Sequence, residues 1–301
     1  MKVLVTGANG LLGQHLVNLL LENGFFVIAT GRGPSRLPFR ISETYRYKEV
    51  DITDKDAVGD LLISEKPEIV IHAAAMTQVD ECELEQDQCF NINVNGTAHV
   101  LSQSESHSQV IIYISSDFVF DGAKGNYTEE DTLNPVNWYG FTKTRAEALI
   151  KASAIPWAIV RTSLVYGNSF NGTRKNIIAW VKDKLTKKET IKVVDDQLRT
   201  PTYVEDLAKG VLLIIEKKLT GIFHLSGKDI LSPYTIAGKT AAHFFLDKDL
   251  IDRVNASVFT QPAKRPPVTG LSIEKARNQL GYEPLSFEDG LKKMFQANRK
   301  A

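Results

Sequence analysis

The stretch Lys2-Val3-Leu4-Val5-Thr6-Gly7-Ala8-Asn9-Gly10-Leu11-Leu12-Gly13 decides the fold. Lys2–Thr6 is the short apolar run of a buried strand, and Leu11–Glu22 carries apolar residues at three- and four-residue spacing, as a helix covering a sheet does. Between them a glycine recurs at every third position. In that context Gly7 makes the tight turn, Gly10 lets the backbone approach a pyrophosphate and Gly13 permits close helix packing, while the helix N-terminus stabilises negative charge. The stretch predicts a dinucleotide site.

The same rhythm continues outward. Phe25–Thr30, Glu68–His72, Gln109–Ser115 and Trp157–Arg161 read as further buried strands, with Lys55–Ser64, Gln86–Ser104 and Asn137–Ala152 as helices between them. Parallel βα units in a doubly wound, Rossmann-type α/β sheet are the simplest solution. After about Tyr166 the pattern turns irregular, with a polar stretch at Gly167–Thr173 and a proline-rich segment at Gln261–Pro267. Residues 1–165 are expected to form the dinucleotide-binding domain, rejoined by about 203–225, where Val204–Lys217 and Gly221–Leu225 read as one more helix and strand. Residues 166–202 and 226–301 are expected to form a smaller C-terminal α/β substrate lobe.

With 301 residues, 43% of them hydrophobic, the chain can bury a large core. Its 36 basic and 36 acidic side chains cancel, so neither nucleic acid nor an anionic membrane is expected as a partner. No run approaches the ~18 consecutive apolar residues of a membrane span, and Met1–Gly7 reaches glycine too soon for a secretory leader. A cytoplasmic protein is expected. Cys82 and Cys89, if both lie on one helix, stand two turns or roughly 10 Å apart, too far to bridge, and are read as reduced core thiols. The six His residues include no His-x-x-x-His pair and no Cys–His cluster has ligand spacing, so no catalytic metal is expected. Nucleophilic hydrolysis lacks its Gly-x-Ser-x-Gly elbow.

The second strand ends Ala29-Thr30-Gly31-Arg32. An NAD site usually holds a carboxylate here, roughly 20 residues past the glycine turn, for the ribose hydroxyls. Its absence, with the planar fork of Arg32 suited to an added phosphate, predicts NADPH, with NADH as the alternative. Asp51, after the next strand, is a candidate for the adenine. Tyr139 and Lys143 stand at i and i+4 of a helix and share one face. The ammonium is expected to favour the phenolate and bring the phenol, ordinarily near pKa ~10, toward useful acid–base chemistry. Ser115 and Ser116 end a strand at the carboxyl edge, where open α/β sheets bind ligands. Ser116, Tyr139 and Lys143 form the expected catalytic group for proton transfer to a carbonyl oxygen.

Together with Ala73-Ala74-Ala75-Met76-Thr77-Gln78-Val79-Asp80, Asn93-Val94-Asn95-Gly96-Thr97 and Ser115-Ser116-Asp117-Phe118-Val119-Phe120-Asp121-Gly122, these residues resemble the extended short-chain dehydrogenase/reductases over nearly the whole chain. Asp195-Asp196-Gln197, Pro201-Thr202 and Lys264-Arg265-Pro266 are similar to the substrate lobe of the dTDP-4-dehydrorhamnose reductase family. The resemblance implies hydride transfer from NADPH to the 4-keto carbon of a nucleotide-linked deoxysugar. Tyr139 would be the general acid, Ser116 would position the carbonyl, and Lys143 would hold the nicotinamide ribose. Cofactor contacts are implied for Gly7, Asn9, Gly10, Leu11, Leu12, Arg32, Asp51, Ile52, Ala73, Ala74, Ala75, Thr77, Asn93, Tyr139 and Lys143. Substrate contacts are implied for Asp117, Phe118, Leu164, Phe170, Thr173, Arg199 and Arg265, with Arg265 near the diphosphate. A homodimer is compatible with the family, some members of which join subunits through Mg²⁺.

Several positions depart from that pattern. Leu164 stands where the family has a sugar-stacking Trp, Ser169 and Arg174 replace Asn and Met, Arg199 replaces Gly, and Val268 replaces Asn. Three other functions are weighed. A 4,6-dehydratase has Asp-Glu where this chain has Asp117-Phe118, and so needs a second carboxylate absent here. A nucleotide-sugar epimerase keeps NAD bound, which fits poorly with Gly31-Arg32. The regulatory beta subunit of methionine adenosyltransferase resembles the same reductases, binds NADP and retains the Tyr and Lys, so these residues alone do not separate enzyme from partner subunit.

Overall fold

The computed structural model describes residues 1–105, 110–171 and 176–296; Gln109, Thr173 and Arg174 lie outside the described residues. The first half runs β1 (Lys2–Thr6), α1 (Leu11–Glu22), β2 (Phe26–Gly31), β3 (Tyr45–Glu49), α2 (Lys55–Glu65), β4 (Ile69–His72), α3 (Val79–Leu84), α4 (Gln86–Phe90), α5 (Gly96–Ser104), β5 (Val110–Ser116), α6 (Trp138–Lys151) and β6 (Trp157–Thr162). The second adds β7 (Val165–Tyr166), α7 (Ile177–Thr186), β8 (Ile191–Val194), β9 (Thr202–Tyr203), α8 (Val204–Lys217), β10 (Gly221–His224), α9 (Pro233–His243), β11 (Ile251–Val254), α10 (Glu274–Leu280) and α11 (Phe287–Gln296).

Seven strands pair in the order β10-β6-β5-β4-β1-β2-β3, all parallel. The inner strands are largely apolar because both faces are covered, and successive residues serve different cores. Val3 and Val5 of β1 pack with Val17 and Leu20 of α1 and Leu207 and Val211 of α8, whereas Leu4 packs with Val58 and Leu62 of α2 and Ile150 of α6. The chain winds one way from β1 through β3 and the other way from β4 onward, so the sheet's switch point lies between β1 and β4. Beyond the sheet, β8 pairs with β11, and Val181 of α7 and Ala237 of α9 pack against Ile191 and Val193. Among the described residues no helix is long and apolar enough to cross a membrane.

Two expectations need correction. The helix read over residues 86–104 is α4 and α5 joined by a π turn at Asn91–Asn95, whose extra width turns Asn93 inward. Cys82 and Cys89 do not share a helix. Glu85, at φ −113° and ψ 60°, ends α3 and starts α4 afresh, and the fold-back brings the two buried thiols into hydrogen-bonding contact as free cysteines.

Candidate active site

The glycine turn sits at the switch point, after β1. Gly7 adopts φ +68°, and a Cβ there would stand 2.7 Å from the Ala74 nitrogen. A Cβ on Gly13 would stand 2.3 Å from the Gly7 oxygen, so the start of α1 presses on the turn in a way that only glycine allows. Helix α1 has no side-chain cap and no acid in its first turn, whereas α2, α6, α7 and α9 are capped by Asp54, Asn137, Asn176 and Ser232. Its first amide groups and positive end therefore remain for an anion. Leu11 and Leu12 open that helix, and Ala73, Ala74, Ala75 and exposed Thr77 follow β4 across the switch point. Arg32 is exposed beyond β2. Asp51 follows β3 and accepts from the Thr53 nitrogen and hydroxyl, both at 2.9 Å, while buried Ile52 lies against Gly96.

Ser116, the last residue of β5, and Tyr139 and Lys143 of α6 are all buried. Gly140 makes this convergence possible: a Cβ there would lie 2.1 Å from the Phe118 oxygen. Asn137 caps α6 by accepting from the Gly140 nitrogen at 2.9 Å, and Glu83 accepts from the Trp138 nitrogen at 2.9 Å. The Ser116 hydroxyl lies within hydrogen-bonding reach of the Tyr139 phenol. Lys143 donates to the Ile114 carbonyl at 2.7 Å and stands over the Tyr113 ring at 4.2 Å.

The electrostatics differ from the expected ones. Burial pushes the Tyr139 phenol well above its ordinary value, and what pulls it back is Ser116's hydrogen bond. Burial also draws the Lys143 ammonium down to about 7 against the opposing pull of Glu147. Desolvation of a charge inside the protein outweighs the neighbour effect read from the i, i+4 spacing.

A buried hydrogen-bond chain joins the glycine turn to this helix. Thr97 donates to the Asn93 carbonyl at 2.6 Å and so accepts from His72 Nε2 at 3.1 Å; His72 Nδ1 then accepts from Thr6 at 2.7 Å. Burial holds this imidazole neutral, its pKa drawn down to about 3. Asn93 spends its carboxamide on the Met76 nitrogen at 2.8 Å and on Thr142 at 3.0 Å, and Thr142 donates to the Tyr139 carbonyl at 2.8 Å. In this structure Asn93 is a tie between segments.

The expected substrate residues divide. Phe118 meets the Tyr139 ring edge to face, with centroids 6.0 Å apart, and carries the Arg199 guanidinium over its ring at 5.4 Å. Asp117 turns inward, accepting from Ser163 at 2.8 Å, from Ser116 at 3.1 Å and from Thr269. Leu164 follows β6 at φ +41°, a strained conformation for a branched residue, and is partly exposed.

Three of the expected substrate residues have partners within the fold. Arg199 is buried and donates to the carbonyls of Leu198, Pro267 and Pro266 at 2.8, 3.0 and 2.7 Å, which makes it a clamp on the Pro266-Pro267 strap. Arg265 makes a two-pronged bond to Asp80, at 2.6 Å on its Nη2 side, tying that strap to the start of α3. Phe170 packs on His15 of α1 and on Phe39, with centroids 5.3 and 6.4 Å away, because buried Gln14 draws its backbone nitrogen to 2.7 Å. Sequence reasoning passed over Gly140, His72 and Asp80; the glycine inside Tyr139-Gly140-Phe141-Thr142-Lys143 was the one available signal.

The RmlD substrate binding domain family matches residues 1–300. The chain belongs to this family. It is 31% identical to the dTDP-4-dehydrorhamnose reductase of Aggregatibacter actinomycetemcomitans over 97% of either chain. It is 28% identical to methionine adenosyltransferase 2 subunit beta of Mus musculus over 97% of this chain and 86% of that one. A dTDP-4-dehydrorhamnose reductase structure from Clostridium acetobutylicum superposes with a TM-score of 0.87 at 32% identity, covering 99% of this chain and 100% of that one. The Bacillus anthracis reductase, solved in complex with NADP, superposes with a TM-score of 0.83 at 29% identity, covering 98% and 99%.

Proposed function

We propose that the chain is a cytoplasmic, NADPH-dependent reductase of a nucleotide-linked 4-keto deoxysugar, of the dTDP-4-dehydrorhamnose kind. The observation that carries this reading is the contact of Ser116 with Tyr139, with buried Lys143 one turn further along α6, at the carboxyl edge of a sheet whose switch point holds an open glycine turn.

The dinucleotide, when bound, supplies the hydride that reaches the ketone carbon. Tyr139 delivers the proton to the ketone oxygen, which closes the balance to an alcohol. The raised phenol suits this direction, since a general acid must be protonated before it acts. Ser116 hydrogen-bonds the same oxygen and orients it. Lys143, which donates to the Ile114 carbonyl, would hold the nicotinamide ribose.

Purified protein is expected to consume NADPH with dTDP-4-dehydro-6-deoxy-L-mannose, followed by loss of NADPH absorbance. No consumption with this or related 4-keto nucleotide sugars, together with a stable complex with a methionine adenosyltransferase, would replace the enzyme by the partner-subunit reading, which the 28% identity to that beta subunit supports. NADPH is expected to bind more tightly than NADH, and Arg32→Ala to narrow the gap. Titration of both dinucleotides decides this, and a preference for NADH in the unmodified chain would remove Arg32 as a phosphate ligand.

A further inference from the structure

The loop after β2, Arg32-Gly33-Pro34-Ser35-Arg36, presents exposed Arg32, Ser35 and Arg36 side chains around a glycine with φ +71° at Gly33. A loop so rich in glycine and proline has no helix or sheet ladder to fix it. Its carbonyl oxygens, if turned outward, would repel a phosphate.

They are instead tied from the protein side. Tyr47, at the middle of edge strand β3, donates its hydroxyl to the Gly33 carbonyl at 2.6 Å, with the Gly31 carbonyl at 3.2 Å. The carboxamide nitrogen of Asn9 in the glycine turn shares its two hydrogens among the Tyr47 oxygen at 2.9 Å, the Pro34 carbonyl at 3.1 Å and the Arg32 carbonyl at 3.2 Å. The carboxamide oxygen of Asn9 accepts from the Arg36 nitrogen at 2.8 Å. Three successive carbonyl dipoles, those of Arg32, Gly33 and Pro34, thus point at two side chains and away from the cationic rim, while the Gly31 carbonyl is already held by the Val50 nitrogen at 3.1 Å.

We infer that Tyr47, acting with Asn9, is the positioning residue that holds this loop in its phosphate-reading shape and thereby sets the choice of NADPH over NADH. The inference rests on the cofactor reading above. Tyr47 touches no reacting atom; it keeps the loop carbonyls off the anion, so its effect falls on the ligand that carries the extra phosphate.

The test is a binding titration of NADPH, NADH and adenosine 2′,5′-bisphosphate against the unmodified chain and Tyr47→Phe, which keeps the ring packed on the core and removes one hydroxyl. NADPH and the bisphosphate are each expected to bind about five- to tenfold more weakly, the scale of one lost hydrogen bond, with NADH changed less than about twofold. An unchanged NADPH-to-NADH ratio in Tyr47→Phe, or an equal loss for both dinucleotides, overturns the positioning role while leaving the cofactor reading intact. Failure of the unmodified chain to prefer NADPH overturns the cofactor reading, and this inference falls with it.

Discussion

Tyr139→Phe is expected to leave NADPH affinity within about twofold and to lower kcat by roughly 10²–10⁴. The substitution removes only the phenolic oxygen. The ring still meets Phe118 edge to face and still fills the pocket formed with Cys82 and Cys89, so α6 keeps its seat. What is lost is the proton donor beside Ser116; Asp117 is also near, with one carboxylate oxygen on Ser116 at 3.1 Å and the other held by Ser163 and Thr269. Rapid-mixing kinetics with saturating NADPH, alongside a dinucleotide titration, make the measurement. Reduction at the unmodified rate would mean that the proton comes from elsewhere.

A comparably large effect on stability is expected from Arg161→Met. Arg161 at the end of β6 and Glu147 of α6 are both essentially fully buried and meet through a fork of two bonds, 2.9 and 2.8 Å. Ser115 adds a third bond to Glu147 at 2.7 Å, and neutral His224 accepts from Arg161 at 3.4 Å. Burial pushes the Glu147 carboxyl up, but the Arg161 bonds and charge outweigh it and hold the group below its ordinary value. Removing the guanidinium leaves a carboxylate in the interior with Ser115 and the partly exposed Lys151, 3.5 Å away, as its remaining partners. Stranding one member of such a pair costs about 3–5 kcal/mol, whereas replacing both by apolar side chains is often neutral. Urea denaturation should therefore show a large loss for Arg161→Met and a substantial recovery in Glu147→Leu/Arg161→Met. A loss below about 1 kcal/mol in the single variant would show that the pair is not what holds α6 to the sheet.

The sequence reading of the strands succeeded because a parallel sheet covered on both faces needs near-continuous apolar runs, and Lys2–Thr6 and Trp157–Thr162 are such runs. Strand β3, Tyr-Arg-Tyr-Lys-Glu, gave no such signal, since an edge strand needs no fully apolar face. The importance of Tyr47 lay hidden there for the same reason.

By itself the sequence determined the inner strands of the sheet and the main helices between them, the place of the glycine turn and the shared helical face of Tyr139 and Lys143, because these follow from local periodicity and from the conformations glycine alone adopts. Only the tertiary structure decided which charges are available and which are already taken. Arg265 and Asp80 lie far apart in the chain, as do Arg199 and Pro266, and a side chain's partners depend on which distant backbone arrives beside it. The same holds for the proton chemistry: spacing placed an ammonium near the phenol, but the desolvation that dominates both groups is a property of the packed interior.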